Sequence, residues 1–84
     1  MTILVTGAAG FIGSNFVMDW LDNIDENIVS LDMLTYAGNL ENLSSLSNDN
    51  RHFFIKGDIG DSKLISSILN KYNPRAIINF AAES

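Results

Sequence analysis

The amino-acid sequence predicts an α/β fold, the N-terminal part of a doubly wound parallel sheet. Two observations support this prediction. Four short runs of apolar and β-branched residues alternate with segments of helical period, in the order βαβαβαβ, and a glycine-rich turn follows the first run. Strands that alternate with helices form a parallel sheet through right-handed crossovers, and near-continuous apolar strands are typical of a sheet covered on both faces. In a doubly wound sheet of this class the first four strands are expected in the order 3-2-1-4.

The first half of the chain contains two of these strands and one helix. Thr2–Thr6 is a β-branched and apolar run that stops at Gly7, and Ile28–Leu31 is a similar run that ends at Asp32. Between them the apolar residues follow helical spacing from Phe11 onward. The predicted buried face of this helix contains Ile12, Phe16, Val17, Trp20, Leu21 and Ile24. The acids expected on its solvated side and end are Asp19, Asp22, Asp25 and Glu26.

The second half is predicted to contain a short helix, a strand, a longer helix and a final strand. The short helix is indicated by Leu40, Leu43 and Leu46. The third strand is His52–Ile55, closed by Gly57, and the fourth is Ala76–Phe80. Asp61 is the predicted N-cap of a helix that ends before Pro74, because proline disfavours helical geometry in the residue before it. The buried stripe of that helix is Leu64, Ile65, Ile68, Leu69 and Tyr72.

Composition and charge exclude several classes of protein. The chain has 84 residues, a net charge of −5, 46% hydrophobic residues and no cysteine, which suits one small domain and excludes disulfide-stapled folds and cysteine-ligated metal sites. The first basic residue is Arg51, so the first 50 residues hold seven acids and no base. Nucleic acids and anionic membranes bind clustered cations, which the first half of the sequence lacks, so neither is expected as a partner. No apolar run approaches the length of about 20 residues that a membrane-spanning helix needs. A cytoplasmic domain is predicted, since no basic segment precedes the first apolar run as in a signal peptide.

The turn after the first strand has the pattern GxxGxxG, formed by Gly7, Gly10 and Gly13. In a dinucleotide-binding turn one glycine allows the tight turn, one lets the backbone approach a pyrophosphate, and one lets the helix pack close to the strand. The amides at the helix N-terminus point toward the anion, and the helix dipole favours its charge. The alternative is a tight strand-to-helix turn without a ligand, but the strand before it and the amphipathic helix after it favour a dinucleotide site.

Asp32 lies at the carboxyl end of the second predicted strand, 19 residues after Gly13. Dinucleotide-binding folds place an acid about 20 residues after the glycine motif, where it accepts hydrogen bonds from the adenosine ribose. A 2′-phosphate at this position would meet a carboxylate with no nearby cation, so NAD is predicted rather than NADP. The alternative for Asp32 is a solvated loop residue without a ligand.

Two further pairs of residues are candidates with plainer alternatives, and the one histidine is not a candidate. Asp58 and Ile59 follow the third strand, where a loop could line the adenine, but Asp58 could equally serve only to shape the turn. Ala81 and Ala82 are small where a cofactor must pass close to the backbone, and the alternative for them is ordinary helix-entry packing. His52, the one histidine, has no metal-ligand spacing around it and is expected at a solvated strand end, so no metal site is predicted.

At these positions the sequence resembles the extended short-chain dehydrogenases/reductases. The segment 6–13 (TGAAGFIG) is similar to the TGxxGxxG signature of that family. The segments 32–40 (DMLTYAGNL), 57–59 (GDI) and 79–84 (NFAAES) are similar to the N-terminal region of its dTDP-glucose 4,6-dehydratases, and the run LTYAGN is the most specific part. Met33 departs from the lysine or alanine that is usual there.

The resemblance implies a cofactor, a substrate class and roles for individual residues. NAD would bind with its pyrophosphate at Phe11 and Ile12, and the full-length enzyme would be a homodimer that acts on dTDP-glucose or a related sugar nucleotide. In such enzymes NAD oxidises C4 of the glucosyl group, water is lost across C5–C6, and the hydride returns to C6. The implied adenosine contacts are Asp32, Met33, Leu34 and Thr35 at the ribose and Asp58 and Ile59 at the adenine. Further along the cofactor the implied contacts are Phe80, Ala81 and Ala82, with Ser84 near the substrate.

The catalytic pair of that family is not present in the sequence. The family relies on Tyr-x-x-x-Lys, in which the lysine favours the ionised tyrosine that acts as a base. Leu40 lies four residues after Tyr36, and Ala76 lies four residues after Tyr72. We therefore expect residues 1–84 to be a partial NAD-binding domain without turnover of its own, the rest of the cofactor domain and the substrate domain being absent. Two alternatives remain at this point: another nucleotide-sugar enzyme such as a 4-epimerase, and a non-catalytic NAD-sensing or partner-binding module.

Overall fold

The structure is a computed structural model that describes residues 1–34, 40–46 and 48–80. Its elements alternate as predicted: strand β1 (Thr2–Thr6), helix α1 (Phe11–Asn23), strand β2 (Asn27–Asp32), a 3-10 helix (Leu40–Leu46), strand β3 (His52–Lys56), helix α2 (Ser62–Tyr72) and strand β4 (Ala76–Asn79). The strands form one parallel sheet in the order β3-β2-β1-β4, which confirms the doubly wound arrangement. Strand ends differ from the predicted ones by a single residue at most.

The sheet carries an apolar layer on each face. One face is covered by α1 and the 3-10 helix, and the buried residues of that layer are Ile3, Val5, Ala8, Ala9, Val17, Leu21, Ile28 and Leu43. The other face is covered by α2, and the buried residues of that layer are Leu4, Val29, Leu31 and Ile68. Because helices cover both faces, the two central strands β1 and β2 need apolar residues on both sides, as their sequences have.

Helix α2 begins after its predicted N-cap, Asp61, and ends before Pro74, as predicted. The Asp61 carboxylate accepts a hydrogen bond from the Leu64 N–H (3.1 Å) at the start of the helix. At the other end Asn73 has a φ of 46°, in the left-handed region, and its N–H donates to the Leu69 carbonyl (3.0 Å). Pro74 follows directly and cannot continue the helix.

The predicted buried faces of the helices are wrong at three positions. Ile12, in the first turn of α1, and Ile24, its C-cap, are both exposed, because these two residues lie at the ends of the helix. Leu69 on α2 is also exposed, at the border of the stripe that Ile68 buries. Helical periodicity identifies the side of a helix that is apolar, but not how far along its length the sheet reaches.

Two polar residues expected in solvent are instead partly or fully buried. Glu26 is only 7% exposed and is bonded to Arg75. His52 is half-buried, and its Nε2 lies 2.7 Å from the Ser30 Oγ on the neighbouring strand. In each of these contacts the two residues are far apart in sequence, so no local sequence pattern indicates the contact.

Candidate functional site

The turn between β1 and α1 is fixed by backbone hydrogen bonds. Gly7 has a φ of 69°, in the left-handed region that favours glycine. Its N–H donates to the Leu31 carbonyl on β2 (2.9 Å), and its own carbonyl accepts from the Gly10 N–H (3.3 Å). The first glycine of the motif therefore makes the tight turn and ties it to the neighbouring strand.

Gly13 lies on the buried side of α1, directly against this turn. A Cβ atom at this position would lie 2.3 Å from the Gly7 carbonyl oxygen, which is part of the backbone. The close approach of the helix to the turn thus requires glycine, as predicted for the third glycine of the motif. Gly10, in contrast, has a φ of −72°, which any residue adopts. The backbone conformation at position 10 does not by itself require glycine.

The N-terminus of α1 has no side-chain cap among the described residues. The first N–H groups of an α-helix have no acceptor within the helix, and here they belong to Phe11, Ile12 and Gly13. In α2 the Asp61 carboxylate meets this need. The side chains of Phe11 and Ile12 are 79% and 68% exposed, and the first turn contains no acid. The start of α1 is therefore open to an external anion, which its N–H groups and dipole attract.

Asp32, at the end of β2, is bound to two backbone amides. Its Oδ2 accepts from the Ala9 N–H in the glycine turn (2.9 Å), and its Oδ1 accepts from the Leu34 N–H (2.8 Å). A carboxylate offers about four lone-pair directions, so both oxygens keep capacity for a further donor. Asp32 stands beside the glycine turn and is not a solvated loop residue.

The two residues after Asp32 face different surroundings. Met33 is exposed, whereas Leu34 packs against the α1 side of the core. Leu34 has a φ of 58°, which is uncommon for a residue other than glycine, asparagine or aspartate. Residues held in such conformations cluster at ligand-binding sites, where the surrounding contacts fix them. Here the contact is the hydrogen bond to Asp32.

The ends of β1 and β4 are joined side by side. The Thr6 Oγ1 donates to the Asn79 Oδ1 (2.7 Å), and the Phe80 N–H donates to the Thr6 carbonyl (2.8 Å). The Phe80 ring packs against Phe16 on α1, with 5.3 Å between the ring centroids. The side chain of Phe80 therefore packs against the core and is only partly exposed at this edge.

Asp58 shapes the turn that follows β3. Its Oδ1 accepts from the Gly60 N–H (2.8 Å), and its carbonyl accepts from the Asp61 N–H (2.9 Å). Asp58 thus shapes the turn, as predicted, and its contact with the adenine stays a prediction. Ile59, in the same turn, is exposed.

Lys56 brings a cation to the strand beside Asp32. The two residues are partners in the register of β3 and β2, so their side chains leave the same face of the sheet. The expectation of no cation near Asp32 left this neighbouring strand out of account. The first half of the sequence lacks bases, but the neighbouring strand supplies one.

Asn42 was not among the predicted site residues. Its Nδ2 donates to the Ala9 carbonyl (2.8 Å), 33 residues away in sequence. An asparagine within a leucine-spaced helix gives no local sign of this contact.

The remaining predicted residues lie outside the described part of the chain. They are Thr35, Ala81, Ala82 and Ser84. Within the described part, no three His, Cys, Asp or Glu side chains are grouped so that they could hold a metal ion. No helix there is long and apolar enough to cross a membrane.

Sheets of this topology bind their ligands outside the carboxyl ends of the strands, next to the turn after β1. The strand order and the glycine turn with Asp32 beside it place the chain in the Rossmann fold class. The chain belongs to the family described as GDP-mannose 4,6 dehydratase, whose model matches residues 4–84.

Individual relatives and solved structures are similar to nearly the whole of this chain. The dTDP-glucose 4,6-dehydratase of Xanthomonas campestris pv. campestris (strain B100) is 53% identical over 83 residues, which are 99% of this chain and 23% of the relative. The crystal structure of the Bacillus anthracis dTDP-glucose 4,6-dehydratase in complex with NAD is 44% identical, with a TM-score of 0.96 over 99% of this chain and 27% of that one. The Streptomyces venezuelae enzyme, crystallised with NAD and dTDP, is 46% identical, with a TM-score of 0.90 over 100% of this chain and 27% of that one. The chain thus spans about a quarter of the length of these relatives, whose N-terminal part it matches.

Proposed function

We propose that the chain binds NAD at the carboxyl edge of its sheet, as the N-terminal part of the NAD site of a dTDP-glucose 4,6-dehydratase. The observation that carries this proposal is the 2.9 Å hydrogen bond between the Asp32 Oδ2 and the Ala9 N–H. It places the acid that would bind the adenosine ribose directly beside the turn that would bind the pyrophosphate. Ribose and pyrophosphate are adjacent in a dinucleotide, so one ligand can occupy both positions.

The glycine turn would hold the pyrophosphate. Gly7 and Gly13 give the turn its shape. Gly10, which has no side chain, would leave room for the ligand to approach the backbone. The N–H groups of Phe11 and Ile12 would donate to the phosphate oxygens, which suits a helix start without a capping side chain.

Asp32 and the residues around it would hold the adenosine. The Asp32 carboxylate would accept hydrogen bonds from the ribose hydroxyls, with Met33, Leu34 and Thr35 lining the same side. The proposed adenine contacts are Asp58 and Ile59. Ile59 is exposed and offers an apolar surface for a base, whereas Asp58 would need to bind through an oxygen that the turn leaves accessible.

The segment after β4 would follow the cofactor toward the sugar nucleotide. Its proposed contacts are Phe80, Ala81 and Ala82 to NAD and Ser84 to the substrate. When bound, NAD supplies the hydride acceptor and donor for a lyase reaction that converts dTDP-glucose to dTDP-4-keto-6-deoxyglucose and water. The described residues would bind and orient the cofactor, and we expect no turnover from the 84 residues alone, since no tyrosine is followed four residues later by lysine.

Three properties of the full-length enzyme stay predictions from the sequence. They are a homodimeric assembly, a cytoplasmic location and the absence of nucleic-acid and membrane partners. The acid-rich first half of the chain supports the last of these.

Calorimetric titration of the 84-residue chain with NAD, ADP-ribose and NADP tests the proposed function. We expect NAD and ADP-ribose to bind with similar affinity, because both contain the adenosine and pyrophosphate that these residues would hold, and NADP to bind more weakly. Asp19→Ala is a suitable control, since it removes an exposed acid of α1 away from the strand ends. A chain that melts cooperatively but binds no NAD would overturn the proposal. Formation of a 4-keto-6-deoxy sugar by the purified chain would contradict the expected lack of turnover.

A further inference from the structure

Ala9, in the glycine turn, is held on both sides by side chains from distant parts of the chain. The Asp32 carboxylate accepts from its N–H (2.9 Å), and the Asn42 Nδ2 donates to its carbonyl (2.8 Å). Ala9 itself is fully buried. One side chain comes from β2 and the other from the 3-10 helix, so two separate elements clamp the turn.

The carbonyl that Asn42 holds belongs to the peptide bond between Ala9 and Gly10, the N-cap of α1. The N–H of the same peptide, on Gly10, donates to the Gly7 carbonyl (3.3 Å). A peptide unit is planar, so holding its carbonyl on one side and its N–H on the other fixes the orientation of the whole unit. The next N–H groups along the chain belong to Phe11 and Ile12, the proposed donors to the pyrophosphate. A carbonyl turned toward the anion would repel it.

The position of Asn42 suits this function and not a role in packing. Its 3-10 helix is anchored by Leu43, which is buried in the core, and by a 3.5 Å contact from the Ser45 hydroxyl to the Met18 sulfur on α1. Asn42 is exposed. Removing its side chain would release the Ala9 carbonyl without opening a cavity.

We propose that Asn42 is a positioning residue for the pyrophosphate of the bound dinucleotide. Its amide holds the peptide between Ala9 and Gly10 so that the first N–H groups of α1 face the anion. This inference rests on the proposed function. Asn42 acts on the turn and reaches the ribose site only indirectly, through the Ala9 N–H that donates to Asp32. Its loss therefore weakens ligands that contain a pyrophosphate more than it weakens adenosine.

Two variants and two matched controls test this inference. Asn42→Ala removes the donor, and Asn42→Asp places a carboxylate opposite the Ala9 carbonyl with little change of size. Ser44→Asp adds the same charge at an exposed position of the same 3-10 helix, and Asn23→Ala removes an exposed asparagine at the far end of α1. We expect Asn42→Ala to weaken NAD and ADP-ribose about threefold to tenfold, the effect of one lost hydrogen bond, and Asn42→Asp to weaken them further. Adenosine affinity, measured by NMR titration, should fall by a smaller factor than NAD affinity, and both controls should stay at the wild-type values.

Amide hydrogen exchange provides a second measurement that needs no ligand. In the free chain the N–H groups of Ala9 and Gly10 should exchange faster in Asn42→Ala than in the wild type or in Asn23→Ala, with the melting temperature little changed. Unchanged exchange, or a loss of adenosine binding equal to that of NAD, would overturn the inference. If the wild-type chain binds NAD and both Asn42 variants bind it with the same affinity, this inference alone is overturned. A wild-type chain that binds no NAD overturns the proposed function and this inference with it.

Discussion

Arg75 and Glu26 form a bidentate ion pair that joins the start of β4 to the start of β2 across β1. The Nε and Nη2 of Arg75 donate to the two carboxylate oxygens of Glu26 at 2.5 Å and 2.8 Å. The Arg75 N–H also donates to the Thr2 carbonyl on β1 (2.9 Å). Loss of Arg75 would leave the nearly buried Glu26 carboxylate uncompensated. The pair therefore stabilises the sheet at the edge opposite the proposed NAD site.

Glu26→Gln is expected to lower the free energy of unfolding at neutral pH and to make it less sensitive to acid. The hydrogen bond from Arg75 and the charge of its guanidinium hold the pKa of Glu26 below its ordinary value of 4.5. A carboxyl group with a lowered pKa binds fewer protons in the folded state than in the unfolded state. Its stabilising contribution is therefore present above the ordinary pKa and is lost as the pH falls through the folded value. Urea unfolding from about pH 7 down to about pH 3 measures this loss.

Asp22→Asn is the control for this experiment, since Asp22 is an exposed acid of α1. Some acid sensitivity should persist in every variant, because hydrogen bonds from Arg51 lower the pKa of Asp49 to about 2. If Glu26→Gln and the wild type lose stability in parallel as the pH falls, the ion pair is not the source of the acid sensitivity.

His52 is expected to titrate below its ordinary pKa and to destabilise the fold when it is protonated. Burial lowers its pKa from the ordinary value of 6.5, against an opposing effect of Asp49, and its Nε2 lies 2.7 Å from the Ser30 Oγ. The unfolded state then binds more protons, so stability falls as the pH drops from the ordinary value through the folded one. The chain contains one histidine, so NMR titration of the ring gives its pKa directly. A measured pKa at or above 6.5 contradicts this prediction.

Local features made most of the fold and the glycine turn predictable. The strand order followed from the alternation of elements, and the required glycines at positions 7 and 13 followed from their spacing after a strand. The contacts that could not be predicted join residues far apart in sequence. The pair Arg75–Glu26 spans 49 residues and the bond from Asn42 to Ala9 spans 33. The register that places Lys56 beside Asp32 exists only once the sheet has formed.

Gly13→Ala and Gly10→Val are expected to affect different properties of the protein. A Cβ at position 13 would lie 2.3 Å from the Gly7 carbonyl oxygen, so Gly13→Ala should destabilise the fold by about 1–3 kcal/mol, the usual cost of overpacking. Gly10 has a φ of −72° and a ψ of 171°, which valine adopts readily, so Gly10→Val should change the melting temperature little. Its side chain should nevertheless weaken NAD and NADP alike by obstructing the pyrophosphate. Thermal unfolding and calorimetric titration separate the two effects, and a Gly10→Val chain that binds NAD normally would argue against the pyrophosphate position.

Asp32→Ala is expected to weaken NAD about tenfold to a hundredfold, because charged hydrogen bonds contribute about 1.5–3 kcal/mol. It should weaken NADP less, because it also removes the repulsion between the carboxylate and a 2′-phosphate. Part of the loss should fall on both cofactors, since Asp32 also holds the Ala9 N–H in the glycine turn.

Lys56 should determine how far Asp32→Ala shifts the preference toward NADP. It is the register partner of Asp32, and once the carboxylate is removed it is the charge that a 2′-phosphate would meet at this end of the sheet. In the double variant Asp32→Ala/Lys56→Ala the affinity for NADP relative to NAD should therefore rise less than in Asp32→Ala. The control Asp32→Ala/Lys63→Ala removes an exposed lysine of α2 and should match the single variant. Titrations of NAD and NADP into these four chains, the wild type included, give the ratio of affinities. If Asp32→Ala leaves that ratio at the wild-type value, Asp32 does not bind the ribose. If Lys56→Ala changes nothing in the Asp32→Ala background, Lys56 does not reach the 2′ position.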